Sequence, residues 1–279
     1  MRICYFFLNN TKLKHYLLYT IFIFAKKIIS SFLALSTVLS IFRKEVNSLL
    51  DSLIAYMVIG IFLTGIGLLV WVFPETSVLE YGFADLMTLF SSAPFVFLFL
   101  IPAITMRSIA EERKAGTLEL LLTKPLTDWQ IILGKFLACW LLVVLALIPT
   151  LIYYYSIYQL GNPVGNIDSA AVAGSYIGLL LLSGAFTSIG IFASSLTENQ
   201  IIAFVVAVFF CFIAYSGFGS LAAINVWQGF SSLLTKLGIE YHYNALSKGL
   251  IDSRDVLYFV SVITLFLAAS KLVLGSRKW

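Results

Sequence analysis

The chain has 279 residues, 60% of them hydrophobic and 11% charged, with a formal net charge of +4 and a mean hydropathy of +0.97. Such a composition excludes an ordinary soluble domain. The basic residues gather beside apolar runs, which is the pattern of membrane orientation signals and not of a nucleic-acid surface.

Those runs are continuous and close to the roughly 20 residues a membrane helix needs, unlike the alternating ten-residue strands of a barrel. Backbone groups in lipid must be satisfied within the segment. An all-α polytopic membrane protein with six transmembrane helices is therefore expected.

Residues 1–38 are the least regular part. The apolar run from Tyr16 to Phe24 is short, is broken by Lys26 and Lys27, and resumes at Ile28. A signal peptide is disfavoured because no small-x-small cleavage site follows the core. An extra membrane helix is a second reading. The preferred one is an upstream extension, with translation beginning near Val38 or Leu39 and residues 39–279 forming the transmembrane domain.

Ser40 to Asp51 places Ile41, Phe42, Val46, Leu49 and Leu50 on one face, the pattern of a helix lying in the membrane interface. Spans are expected at about Ser52–Phe73, Leu86–Met106, Phe136–Tyr158, Ala170–Leu196, Ile201–Ile224 and Val256–Leu274. Pro94, Pro102 and Pro149 are expected to bend the spans that hold them. In the fourth span Gly174 and Gly178 form a GxxxG pair, a helix-packing spacing whose plainest meaning is contact within the chain. The segment Asn225–Asp255 is only moderately apolar, and Trp227, Tyr241 and Tyr243 suit the membrane interface.

Between the second and third spans lies the most charged stretch, Arg107 to Lys135. It holds five basic residues and four acidic ones, an amphipathic piece from Gly116 to Thr123, a break at Pro125, and a capping box of Thr127 and Gln130. A plain linker needs neither a cap nor the leucine cluster Leu118, Leu120, Leu121 and Leu122. The stretch reads as a docking element. Leaving residues 1–38 aside, ten Lys or Arg fall on its side of the membrane against three (Lys236, Lys248, Arg254) on the other. By the positive-inside rule the stretch and both ends of the 39–279 core are cytoplasmic.

Nothing supports catalysis. There is no GxxxxGK[ST] or HExxH motif. Cys4, Cys139 and Cys211 are too widely spaced for a metal set and read as packing residues. His15 and His242 are the sole histidines, and His242 reads as an exposed polar residue. No ionisable residue is clearly embedded between the span ends, and no inverted repeat is evident, so an ion-coupled carrier is disfavoured. A scaffold that docks a cytoplasmic partner without transport is the other alternative.

The string from Glu111 to Ala138, EERKAGTLELLLTKPLTDWQIILGKFLA, resembles the signature of type-2 ABC exporter permeases. The matching positions are Glu112, Gly116, Thr117, Glu119, Leu121, Leu122, Pro125, Gly134 and Lys135. Phe42–Glu45 and Ser247–Phe259 also match, and the resemblance covers residues 39–279. SLIAYMVIG, FPETSVLEYGFADL and LLTKPLTDWQIILGK are most similar to gliding-motility permeases of the GldF type. Residues 1–38 depart from the pattern.

The resemblance implies a permease of the bacterial inner membrane with no ATPase activity and no cofactor of its own. A separate GldA-like ATPase would drive it, a GldG-like membrane subunit would accompany it, and the transmembrane assembly would be dimeric. It also implies a coupling helix over roughly Arg113–Thr123. There Glu112, Arg113, Lys114 and Glu119 would make polar contacts with the ATPase, Leu121 and Leu122 would anchor the helix, and Gly116 would break the backbone at its start, beside Thr117.

Overall fold

The computed structural model describes residues 36–118, 123, 126–223 and 231–276. The expectations for residues 1–35, and for Glu119, Leu120, Leu121, Leu122, Pro125 and Trp227, lie outside that set. All regular structure among the described residues is helical, and six helices are long and apolar enough to cross a bilayer.

Helix α1 covers residues 36–50. The first span is α2 (Leu53–Trp71), followed by a short α3 (Val78–Tyr81) capped by Ser77. The second span, α4 (Met87–Thr105), turns through Met106–Ile109 into the short α5 (Ala110–Lys114). The third is α6 (Asp128–Leu147), a tight 3-10 turn at Ile148–Thr150 and α7 (Leu151–Leu160). Pro149 thus tightens one turn between two helical halves.

The fourth span, α8 (Ser169–Leu196), starts where Asp168 accepts hydrogen bonds from the Ala170 and Ala171 N–H groups. Asn199 caps α9 (Gln200–Phe212). That helix widens into a π turn at Ile213–Gly217 before α10 (Phe218–Ala222). Two short helices follow, α11 (Ser231–Leu237) and α12 (Ile239–Leu246). The sixth span, α13 (Ser253–Gly275), is capped by Asp252.

Helix α8 is the spine. In its most apolar stretch 78% of residues are buried, against 28% in α2, 22% in the α9 span and 17% in α13. Its small residues make that possible, because helices in lipid associate by close packing and not by escape from water. A Cβ on Gly190 would collide with Thr105 of α4, and one on Gly184 would press on Ile263 of α13. Gly174 and Gly178 do not face another span. A Cβ on Gly174 would lie 2.8 Å from Gly249 Cα, and one on Gly178 would lie 2.8 Å from Leu246 Cβ. The pair receives the end of α12 and the turn after it, where Gly249 holds φ +80°.

The α11–α12 segment therefore packs against the bundle, and Tyr243 is enclosed by protein. This side chain is 1% exposed. Pro94 lacks an N–H, so the Phe90 carbonyl one turn earlier loses its intrahelical donor. The Tyr243 hydroxyl donates to that carbonyl at 2.5 Å, and burial pushes its pKa up. His242 is also not a free polar residue. Its Nδ1 lies 2.6 Å from Asp255 Oδ1, its Nε2 lies 2.8 Å from the Lys236 carbonyl, and its ring stacks on Tyr258.

Tyr243→Phe keeps the ring but leaves the Phe90 carbonyl unpaired. The variant is expected to lose about 1–2 kcal/mol of stability, read as a lower thermal unfolding midpoint in detergent.

Candidate functional site

The charged stretch is built from a sequence that cannot stay helical throughout. Helix α5 ends at Lys114, Gly116 takes φ +70°, and Thr117 and Leu118 begin a new helical turn. A side chain at Gly116 would meet no neighbour; the positive φ itself selects glycine. The Thr117 hydroxyl donates back to the Glu112 carbonyl at 3.1 Å. Leu118 is buried in a small apolar cluster with Ile109, Ile132, Phe136 and Ile191. On the far side of the loop the Thr127 N–H donates to Gln130 Oε1 at 2.8 Å, within the capping box that starts α6.

Helix α6 begins at Asp128, well before the apolar run, and this changes the status of Lys135. The residue stands two turns into the helix with its side chain 1% exposed. The sequence places it in the loop; the structure places it within helix α6. Its Nζ donates to the Ser108 carbonyl at 2.6 Å and to Glu45 Oε1 at 3.1 Å. Glu112 Oε2 lies 2.9 Å from the same ammonium. That oxygen is buried and makes no hydrogen bond, so the pairing is counted as coulombic. Lys44 completes the group, 3.3 Å from Glu112 Oε1 and 3.6 Å from Glu45 Oε1. Burial works against the Lys44 charge, but Glu112 and Glu45 outweigh it and hold its pKa above the ordinary lysine value.

Gly134 explains how α1 comes close enough. A Cβ there would lie 2.7 Å from Ile41 Cγ2, so adjacent residues of α6 supply a gap for α1 and a charge for its Glu45. The four charged side chains line a polar cavity of about 300 Å³ with Arg107, Glu111 and Ser108.

A second set of bonds holds the other flank. Ser194, near the end of α8, accepts from the Ile109 and Ala110 N–H groups, both at 3.1 Å, and donates to the Met106 carbonyl. One hydroxyl thus satisfies the start of α5 and the end of α4. Arg113 donates to the Ser195 carbonyl at 3.0 Å and pairs with Glu198 at 3.2 Å. Arg107 and Glu111 form a two-bond pair along the elbow.

The expected docking residues therefore divide. Glu112 and Arg113 are committed to partners within the chain, Lys114, Gly116 and Thr117 are exposed, and Glu119, Leu121 and Leu122 lie outside the described residues. Gly174 and Gly178 sit on the face of α8 that receives α12. Glu45, Lys135 and Ser194 were not singled out from the sequence as site residues. No group of three or more His, Cys, Asp or Glu side chains among the described residues is arranged to hold a metal ion.

A short charged elbow between the second and third of six spans, clamped on both flanks, is the context in which the comparison becomes decisive. The family model described as ABC-2 family transporter protein matches residues 74–237, more than half of the chain. This chain belongs to the ABC-2 transporter family. No curated protein matches it. The family match takes in the elbow, Lys135 and Ser194, while Glu45 on α1 precedes it. The elbow of this ABC-2 chain is therefore completed by a helix from outside the matched region.

Lys135→Met leaves two partly buried carboxylates with Lys44 as their remaining shared cation and is expected to cost about 3 kcal/mol, the low end for breaking a buried pair. Adding Glu45→Gln and Glu112→Gln should restore much of the lost thermal stability, because the uncompensated charges go with them. A triple variant no more stable than Lys135→Met would refute the electrostatic account.

Proposed function

We propose that this ABC-2 chain is the permease subunit of an ATP-driven exporter of the gliding-motility type in a bacterial inner membrane, with the Lys135 end of the bundle facing the cytoplasm. A separate GldA-like ATPase docks on the elbow, and a GldG-like membrane subunit accompanies the chain. A second transmembrane copy or the companion packs on the α2–α4–α9 face. That face carries an apolar groove of about 660 Å³, and Ile61, Phe95 and Phe99 are exposed beside it.

The observation that carries the docking reading is the division within the elbow. Lys114–Thr117 is the exposed part, and the residues just before it are tied to three elements of the bundle. A push on the exposed part reaches α1 and α6 through Glu112, and the α8–α9 turn through Arg113. The basic-residue asymmetry of ten against three supports the cytoplasmic placement. The lack of any nucleotide-binding motif supports a separate motor.

The purified permease with its ATPase in liposomes tests this reading. Gly116→Pro forces φ to about −65° where the elbow needs a positive value, and should abolish co-purification of the ATPase. Lys114→Glu and Glu119→Lys should weaken it about tenfold, the scale of one interface residue worth over 1 kcal/mol. Lys135→Met should keep binding but lower the stimulation of ATP hydrolysis. Unchanged binding and stimulation in all four would sink the docking reading. Binding without stimulation in the natural chain would favour a scaffold.

A further inference from the structure

At the end of the bundle opposite Lys135, a cavity of about 460 Å³ opens between the starts of α4 and α8, the π turn and α12. Its volume is that of a small-molecule site. The floor is aromatic. Tyr215 stands edge-on to Phe95, with centroids 5.9 Å apart, and Tyr243 lies 6.4 Å from Tyr215. Tyr215 is the middle residue of the π turn and is 4% exposed. A π turn inserts an extra residue into a helix and often marks a functional position; here it aims a phenol ring into the cavity wall.

The polar groups of the wall are mostly committed. Tyr243 donates to the Phe90 carbonyl. The Ser175 hydroxyl lies 2.8 Å from the Ala171 and Ser247 carbonyls. Asp85 accepts from the Met87 N–H, and Asp168 caps α8. Glu240 is different. It is half-buried in the first turn of α12 and makes no hydrogen bond or ion pair among the described residues. Lys248 is the single cation on the wall; it is exposed and joins none of the ion pairs among the described residues. Glu240, Tyr215 and Asn244 also line a neighbouring, more polar cavity of about 450 Å³. The unpaired carboxylate thus stands between an aromatic chamber and a polar one.

A half-buried carboxylate without a partner, with aromatic rings beside it, is complementary to one chemistry. We propose that this cavity binds a lipophilic organic cation, with its ammonium or phosphonium centre at Glu240 and its apolar body against the aromatic lining, where Phe95 is the most open ring. The site rests on the orientation given above only for the side of the membrane it faces, and binding to it needs no ATPase.

Equilibrium binding of radiolabelled tetraphenylphosphonium to the full chain in neutral detergent micelles tests the proposal, with tetraphenylborate as a probe of the same shape and opposite charge. The cation should bind at least about tenfold more tightly than the anion, a difference of about 1.4 kcal/mol. Glu240→Gln, which breaks no bond in the fold, should remove that preference. Lys248→Ala should preserve or strengthen it, and Glu75→Gln on the α2–α3 loop should leave it unchanged. Added phosphatidylethanolamine separates two sources of the same chemistry: competition identifies a lipid headgroup ammonium, and its absence a soluble cation. Equal binding of the two probes, or a cation preference that survives Glu240→Gln, would overturn the site. Neither result would bear on ATPase docking, whose failure would in turn leave this binding intact.

Discussion

A lysine ammonium with 1% of its side chain exposed must find partners inside the protein, and most of the cytoplasmic architecture proposed for this chain follows from where Lys135 finds them. Desolvating the charge costs several kcal/mol, recovered only with good geometry and further hydrogen bonds. One partner is a backbone carbonyl at the end of the second span. The second is a carboxylate on the elbow, and the third a carboxylate on α1. Each comes from a different element, so the ammonium is satisfied only when all three are docked. The adjacent Gly134 removes the side chain that would keep α1 away. Lys44 then spans the two carboxylates from the more solvated side. A buried ion cluster is weak evidence for stability as such. Its use here is positional, because it specifies one arrangement of α1, elbow and α6.

The opposite end solves a different problem with different means. Two prolines in α4 leave carbonyls without intrahelical donors, and lipid offers no water to satisfy them. At Phe90 a tyrosine from a folded-in connecting helix supplies the missing hydrogen. That helix can pack so closely because α8 presents Gly174 and Gly178 where it arrives, and because Gly249 adopts a conformation other residues resist. The small-residue stripe of α8 thus serves the connecting segment at one end and the close approach of Thr105 at the other. The His242–Asp255 pair fastens the same segment to α13.

The spans were legible because lipid forces each apolar run to close its own hydrogen bonds, which makes length and hydropathy sufficient. Their ends were not, since a helix continues past the apolar run wherever caps and tertiary partners satisfy it. Hydropathy leaves Lys135 in the loop for that reason: the apolar run starts only at Phe136, whereas the capping box marks a helix start at Thr127. Taking the box as the true beginning would have put Lys135 two turns inside. Its partners were harder, because Glu45 lies 90 residues away and nothing local distinguishes it from the charges beside it. Glu112 and Arg113 looked like surface charges because a sequence shows that a charge is present and not what it faces. The partners of Tyr243 and His242 are hidden on the same ground: nothing local in the sequence shows that the Phe90 carbonyl and Asp255 stand where these side chains arrive.

The two ends share one rigid connection. Helix α4 carries the Phe90 carbonyl near its start and leads at its close into Met106 and Ser108, over about 28 Å at 1.5 Å per residue. Helix α8 runs alongside, packed on α12 at one end and bonded through Ser194 to the elbow at the other. Close-packed helices transmit displacement as units because their interfaces switch between discrete packings and do not deform smoothly. Helices α4 and α8 thus join the elbow to two of the walls of the Glu240 cavity, and on the docking reading proposed above a load applied at the elbow would reach those walls through them.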